Sequence, residues 1–384
     1  MDIGYCIRQN NMFTFFTLLS GIFTAWRTLW YLKWKLHWKC LAALAVLQIA
    51  TRFKILRVLK VDAYIPGTLR MIFSALFACF FIFFLFLLIE FVISGVLYFY
   101  FKAKGKYDAD KMMRRHNTAV LVLLAFTVII TAAGIISGRS GAELKKEDFS
   151  IPALPRSAHG MKLVLLSDLH IDEFTTAGEL RKIVDKVNSV RPDAVLITGD
   201  WSDGTVEEFG HLVSILKNID AKHGIFGVPG NHDYFYDFDR WMKFYSENNI
   251  KILLNQSVTL PEKITIAGVT DPVAGRLGKE MPDFKKTWQD IPPDAVVILL
   301  AHQPKLAAEA KNYQVALQLS GHTHGGMMPF FKTLVKLFNN NWVSGRYDLG
   351  NMFLYVSNGT GIWNGFPLRI NCPAEITVIT LIGK

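Results

Sequence analysis

Cysteine is scarce in this chain, with four among 384 residues and no Cys-x-x-Cys pair. Cys6, Cys40 and Cys79 fall in the first 150 residues, and Cys372 stands alone in the rest. No disulfide can therefore form within the second half, and the cysteines say nothing about redox compartment. The second half also lacks a basic surplus. Lys and Arg number 19 against 8 Asp and Glu in residues 1–150, but 23 against 24 in residues 151–384. The net charge of +10 is thus a property of the first half. A near-neutral second half has no excess charge with which to grip nucleic acid phosphates. Basic residues flanking apolar runs suit anionic lipid headgroups instead.

Charge itself is missing from two long stretches. Met71–Phe101 is interrupted only by Glu90, and Thr118–Ser137 carries no charged residue. Soluble cores seldom use apolar runs of this length, so both read as transmembrane spans. Glu90 within a span is either a functional intramembrane acid or one neutralised by a partner, and the latter is preferred here. Two earlier runs, Met12–Trp26 and Cys40–Ala50, are shorter than the roughly 20 residues a spanning helix needs, so each must recruit its flanks or lie partly in the interface. Trp26, Trp30, Trp34 and Trp38 alternate there with Arg27, Lys33, Lys35 and Lys39, as at a membrane interface. Ile55, Leu56, Arg57, Leu59 and Lys60 could form an amphipathic surface helix. No small-residue cleavage site follows the first run, which argues against a cleavable signal peptide. The expectation is a multi-pass protein of about four helices over residues 1–137, with Lys and Arg nearly balanced between the two sides. Gly138–Pro155, rich in Gly, Ser, Pro and charge, reads as part of a linker spanning residues 138–157, before a soluble domain over residues 158–384.

From Lys162 onward, short β-branched or leucine-rich runs alternate with amphipathic helices. Strands are expected at Lys162–Leu166, Ala194–Thr198, Ile225–Val228, Lys251–Leu254, Val258–Leu260, Lys263–Val269, Ala295–Ala301, Val315–Leu319, Met352–Ser357 and Glu375–Leu381. Helices are expected at Gly178–Val190, Val206–Ile219, Phe238–Asn249 and around Asp283–Trp288. Continuous apolar strands with helices between them argue for sheets covered on their outer faces. There are too many strands for one doubly wound sheet, so two packed sheets flanked by helices fit better.

Five of these strands end in chemistry-bearing residues. In order they are Asp168-Leu169-His170, Gly199-Asp200, Gly230-Asn231-His232-Asp233, His302, and Gly321-His322-Thr323-His324-Gly325-Gly326. Each alone has an ordinary explanation. Asp168 or Asp200 could cap a helix, His302 could be a structural histidine, and Asn231-His232-Asp233 could be a turn. Together they place a mixed oxygen and nitrogen donor set at the carboxyl ends of strands, where open α/β sheets bind ligands. Such a set suits Mn²⁺, Fe or Zn²⁺ more than a thiolate-bound structural zinc.

The five blocks and their order resemble the calcineurin-like metallophosphoesterase superfamily over about Lys162–Leu381. The resemblance implies a four-layer α/β/β/α sandwich, here preceded by an all-α transmembrane region, and two divalent metals, of which Mn is preferred and Fe, Zn or Mg are alternatives. It implies that Asp168, His170 and His324 hold one metal, that Asn231, His302 and His322 hold the other, and that Asp200 bridges them. His232 would protonate the leaving oxygen or stabilise the charged phosphorane, with Asp233 orienting its ring. Asp203, Gly325-Gly326 and Gly365-Phe366-Pro367-Leu368-Arg369 look similar to a membrane-anchored branch that includes phosphodiesterases and UDP-2,3-diacylglucosamine pyrophosphatases. Met327 stands where that branch often has Gln.

The expected activity is hydrolysis of a phosphodiester or pyrophosphate, in a lipid-linked substrate such as a UDP-diacylglucosamine-like precursor or a phospholipid. The alternatives are a nucleotide or nucleic-acid phosphodiesterase, and a non-catalytic membrane scaffold. The expected partners are the bilayer and that substrate, not nucleic acid. Met327–Phe338 reads either as a core helix or as an apolar lip beside the metals that dips into the bilayer.

Overall fold

The computed structural model describes residues 3–29, 32, 34–51 and 67–383, with side chains described from Thr14 onward within them. Two units make up the chain, one of residues 1–136 with 364–368, the other of residues 137–363 with 369–384.

The first unit is helical, with α1 (Ile3–Leu29), α2 (Leu36–Ala50), α3 (Gly67–Ala103) and α4 (Ala109–Gly138). Among the described residues, α3 and α4 are long and apolar enough to cross a membrane, at 37 and 30 residues. At 1.5 Å per residue α3 reaches about 55 Å, well beyond a hydrocarbon core of about 30 Å. α2, with 15 residues, is shorter than a span requires. The amphipathic helix expected around Ile55–Lys60 lies outside the described residues. Glu90 does have a partner. Arg27 donates from Nη2 to its Oε2 at 2.6 Å, Ser94 donates to Oε1, and His116 Nδ1 stands 3.1 Å from Oε1. His116 Nε2 lies 2.9 Å from the carbonyl of Arg27. Arg27, Glu90 and His116 are all buried, so the charge in α3 is compensated where water cannot reach it. The segment Asn364–Leu368 belongs to this unit through Phe366, whose ring meets Phe77 and Phe81 edge-on at 6.4 and 6.2 Å.

The second unit contains twelve strands: β1 (Glu143–Ser150), β2 (Lys162–Leu166), β3 (Ala194–Thr198), β4 (Ile225–Val228), β5 (Ile250–Ile252), β6 (Gln256–Thr259), β7 (Ile264–Gly268), β8 (Val296–Leu300), β9 (Leu317–Ser320), β10 (Gly345–Asp348), β11 (Phe353–Val356) and β12 (Glu375–Ile382). They form two six-stranded sheets, in the orders β1-β12-β2-β3-β4-β5 and β10-β11-β9-β8-β7-β6. Because side chains alternate across a strand, each apolar run serves two cores at once. Leu163 and Leu165 of β2 and Leu196 of β3 meet Ile266, Ile298 and Leu319 of the other sheet. Val164, Leu166, Val195 and Ile197 point the other way. They pack on Leu180, Val184 and Val187 of α5 (Ala177–Ser189) and on Trp241 and Tyr245 of α7 (Phe238–Glu247), with Leu212 of α6 (Val206–Val213) in the same cluster. On the far side, Val297, Leu299, Leu354 and Val356 are covered by Phe284 and Leu306. The result is the expected α/β/β/α arrangement of four layers. Two capping boxes, Thr176 with Glu179 and Thr205 with Glu208, start α5 and α6.

Two strands escaped the sequence reading, and both lie at sheet edges. The stretch read as linker contains β1, which pairs in parallel with all eight residues of β12. Five of its eight residues are charged and only Phe149 is buried, as suits an edge strand protected against further pairing. β10, Gly345-Arg346-Tyr347-Asp348, pairs antiparallel with β11 at one end of the second sheet.

Candidate metal centre

β2, β3 and β4 are parallel neighbours, as are β8 and β9. Their carboxyl ends therefore deliver Asp168, His170, Asp200, Asn231, His232, His302, His322 and His324 together. The turns that carry these groups are tight. Gly199 and Gly230 abut so closely that a Cβ on Gly199 would strike the Gly230 backbone, and one on Gly230 would strike the Asp200 carboxylate. Backbone strain concentrates here as well. Asp168, His170, Asp200, His322 and His324 all have φ between 44° and 70°. The left-handed region is costly for non-glycine residues, by about 1–3 kcal/mol each, and is tolerated where function demands it. Cross-links hold the turns in place. The His170 N–H donates to the carbonyl of Asp200 at 3.0 Å, and the His322 N–H to the Asp168 carboxylate at 3.0 Å. The His232 N–H donates to Asp200 Oδ1 at 2.8 Å.

The ring nitrogens converge. His170 Nε2 lies 3.2 Å from His324 Nε2, and His302 Nε2 lies 3.3 Å from His322 Nδ1 and 3.2 Å from Asn231 Oδ1. Asp200 Oδ2 stands 3.6 Å from His170 Nε2 and 3.4 Å from His302 Nε2, so it borders both clusters. Ligand atoms of Asp168, His170 and His324 lie within 4.8 Å of one another, as do those of Asp168, Asp200 and His302. His170, Asp200 and His232 form a third such group.

The outer nitrogens decide what the inner ones can do. His302 Nδ1 sits 2.7 Å from the carbonyl of Thr198, which can only accept a hydrogen bond, so Nδ1 carries the proton. His170 Nδ1 is held in the same way by Asp203 at 3.1 Å. Both Nε2 lone pairs are thereby turned toward the cluster, as in histidines that ligate metals. With oxygen and nitrogen donors only, the set fits a divalent cation of borderline hardness.

Electrostatics agree with this. Burial alone would strip charge from His302 and His170, but Asp200 for the former and Asp203 for the latter hold their pKa values up to about 10 and about 9. Their facing partners move the opposite way. Burial and the neighbouring His302 push His322 down to about 3, and burial and His170 depress His324 well below its usual value. Each facing pair of rings thus accommodates one positive charge in a field set by buried carboxylates, and that field favours a cation between the rings as it favours a proton.

His232 stands beside this cluster, and the geometry corrects its expected support. Its Nδ1 lies 2.7 Å from Asp203 Oδ1, not on Asp233. Asp233 instead accepts the N–H groups of Gly230, Asp200 and Trp201 at 2.7 to 2.9 Å, tying two ligand turns together. Three convergent backbone donors engage both its oxygens, which takes its carboxylate away from the His232 ring. Asp203 grips His232 and His170 with its two oxygens. Burial opposes its ionisation, but those two rings hold its pKa below the usual carboxylate range. The signal for Asp203 was its place three residues after Asp200, on the same turn. Asp271, just past the end of β7, was missed altogether; it is fully buried and accepts with both oxygens from the amide of Gln303, next to His302.

A cavity of about 240 Å³ opens over these residues. Its lining is mixed: Asp200, Asn231, His232, His322, Thr323, His324 and Asn339 are polar, and Met327, Val335, Phe338 and Trp363 are apolar. Trp363 lies 5.9 Å from the His232 ring and 6.4 Å from that of His324. Val335 and Phe338 come from α8 (Pro329–Phe338), none of whose residues is buried, which argues against the core-helix reading; of Met327–Phe338 only Met328, just before the helix, is buried.

Buried aspartates and histidines close enough together to hold a cation, with a carboxylate-backed histidine beside them, are the equipment of metal-dependent phosphoester hydrolysis. The chain belongs to the calcineurin-like metallophosphoesterase family. Residues 161–326 match the model of the calcineurin-like phosphoesterase family. A metallophosphoesterase of Campylobacter jejuni is 35% identical over 282 residues, covering 73% of this chain and 74% of that one. One from Helicobacter pylori is 34% identical over 253 residues, covering 65% and 67%. A Danio rerio protein named as a transmembrane protein with a metallophosphoesterase domain is 32% identical over 274 residues, covering 68% and 62%. The chain is thus a phosphoester hydrolase, and its apolar helices and transmembrane relatives support association with a membrane.

Proposed function

We propose that the chain is a multi-pass membrane enzyme, with residues 1–137 as its anchor, that uses two divalent cations to hydrolyse a phosphodiester or pyrophosphate bond in a lipid-linked substrate. The reading rests above all on the mixed lining of the cavity, in which the candidate ligand side chains share one space with Met327, Val335, Phe338 and Trp363. A phosphoryl group suits the polar residues, and an acyl or other apolar portion of the same molecule suits the apolar ones. UDP-diacylglucosamine-like glycolipid precursors and phospholipids both have this chemistry.

Asp168, His170 and His324 would hold one cation, and Asn231, His302 and His322 the other, with Asp200 shared because it borders both clusters. Such a pair, with Mn²⁺ preferred for its tolerance of mixed donors, supplies charge neutralisation and an activated water for in-line attack. His232 donates a proton to the leaving oxygen. Asp203 fixes the ring by accepting from Nδ1 and favours its protonated form, since burial lowers the ring's pKa but Asp200 and Asp203 raise it above the usual histidine value. Asp233 acts through the turns it ties together rather than on the substrate.

The test is hydrolysis by the purified full chain with Mn²⁺, across UDP-diacylglucosamine, phospholipids and an aryl phosphodiester, comparing acylated with deacylated forms in detergent. Faster turnover of the acylated form is expected, and equal turnover of the two forms would overturn the lipid assignment.

A further inference from the structure

α8 is amphipathic in sequence like α5, but its burial is reversed. In α5 the apolar residues Leu180, Val184 and Val187 are buried. In α8, Phe330, Leu334, Leu337 and Phe338 recur at i, i+4, i+7 and i+8, which makes one stripe of a helix. These four side chains are 52%, 37%, 73% and 77% exposed. A stripe of large apolar side chains left open to water is a contact surface awaiting an apolar phase. Lys332 and Lys336 are on the same helix, with Lys336 exposed, as suits a helix facing anionic headgroups. The same chain provides helices of membrane-crossing length, and four residues, Arg139–Ala142, separate the end of α4 from β1. A bilayer crossed by α4 would thus be tethered to this unit by a short stretch of chain.

We propose that α8 is an interfacial membrane helix. Its Phe330–Leu334–Leu337–Phe338 stripe lies in the boundary between headgroups and acyl chains. Phe338 belongs to that stripe and, with Val335, to the cavity wall as well, so one short helix forms both the lipid contact and the lip of the site. A lipid-linked substrate then enters sideways, its apolar portion passing from the bilayer along α8 while its phosphoryl group reaches the polar residues. The entry route rests on the lipid-linked reading of the site; the membrane contact of α8 does not.

The test uses the full chain reconstituted in phosphatidylcholine vesicles containing phosphatidylglycerol. A Leu337→Cys variant carries an environment-sensitive fluorophore, and the unmodified chain is labelled in parallel to subtract its resident thiols. Quenching by acyl-chain spin-labelled lipid, with protection from aqueous iodide, is expected. Iodide quenching without lipid quenching overturns the proposal, and disulfide cross-linking between Leu337→Cys copies reassigns the stripe to a second copy of this chain. In a second arm, Phe330→Ser/Leu334→Ser/Leu337→Ser keeps turnover of a soluble aryl phosphodiester. It raises KM for vesicle-borne substrate about tenfold or more, as the substrate's effective concentration at the site falls. Loss of both activities would make the stripe part of the fold and overturn the proposal. Lipid quenching at position 337 in a native chain that hydrolyses no lipid substrate would sink the substrate reading and leave the membrane contact standing.

Discussion

Asp203 shows how one carboxylate can serve two kinds of chemistry. One oxygen holds His170, whose other nitrogen faces the candidate metal cluster, and the second holds His232, the proposed proton donor. Asp203→Asn is expected to lower kcat about 10- to 100-fold, the usual cost of removing a group that orients a ligand. Asp203 also raises the pKa of His232, and in the proposed mechanism the ring must be protonated to serve the leaving oxygen. Its loss should therefore move the basic limb of the pH–rate profile to lower pH, which a purely structural residue would leave in place. His232→Ala should retain the bound metals, measured by elemental analysis, and lose about 10²- to 10⁴-fold in kcat. Metal loss in that variant would instead make His232 a ligand, in keeping with its position within 4.8 Å of His170 and Asp200. Asp200→Asn should lose metal and turnover together, because Asp200 borders both ligand clusters. Full metal content with near-normal turnover would overturn its bridging role.

Elements carry the next level of organisation. The Arg27–Glu90 ion pair joins α1 to α3, and His116 connects α4 to both. Removing one partner strands a buried charge, so Glu90→Leu should destabilise the helical unit by about 3–5 kcal/mol, whereas Arg27→Leu/Glu90→Leu should recover most of that loss. Thermal unfolding in detergent checks both, and equal damage from the single and double variants would show that the pair does more than neutralise itself. In the catalytic unit, Arg369 is almost fully buried and donates to the carbonyls of Asn358 and Gly361. The N–H of Gly361 in turn reaches the carbonyl of Asp168. A buried guanidinium thus shapes the loop after β11 that supports Asp168, a proposed metal ligand, which explains in physical terms why an arginine ends Gly365-Phe366-Pro367-Leu368-Arg369.

At the scale of the molecule, the catalytic unit gathers its charge into one place. The carboxylates of Asp168, Asp200 and Asp203 lie among five histidine rings, and the cluster is neutralised either by protons or by cations. Cation binding should therefore stabilise the whole unit. Removing metal with a chelator is expected to lower its unfolding temperature, and Mn²⁺ at about 100 times its Kd should restore about 2.7 kcal/mol per site. An unfolding temperature indifferent to chelator would mean that the site is not a metal centre.

How much of this was legible in the sequence follows from which forces are local. The strands of both sheet interiors announced themselves as apolar runs, because a strand buried on both faces must be apolar throughout. The residues proposed as ligands stood out because each closes such a run, and parallel neighbours bring their ends together. β1 and β10 were hidden because an edge strand is held by its backbone ladder, and its charged side chains carry no periodic signal. The partner of His232 was misplaced for a related reason. Asp233 is its chain neighbour, but the turn hands that carboxylate to three backbone donors and brings Asp203 to the ring from another strand end.

By itself, then, the sequence determined the layered α/β class, the apolar helices and the aspartates, asparagine and histidines that close the strands, since these depend on hydrophobic period and residue chemistry. Tertiary structure alone decided which carboxylate orients which ring, that Glu90 is answered by Arg27, and that the stripe of α8 is left uncovered. Those outcomes depend on contacts between residues far apart in the chain, where distance and burial, not order, choose the partner.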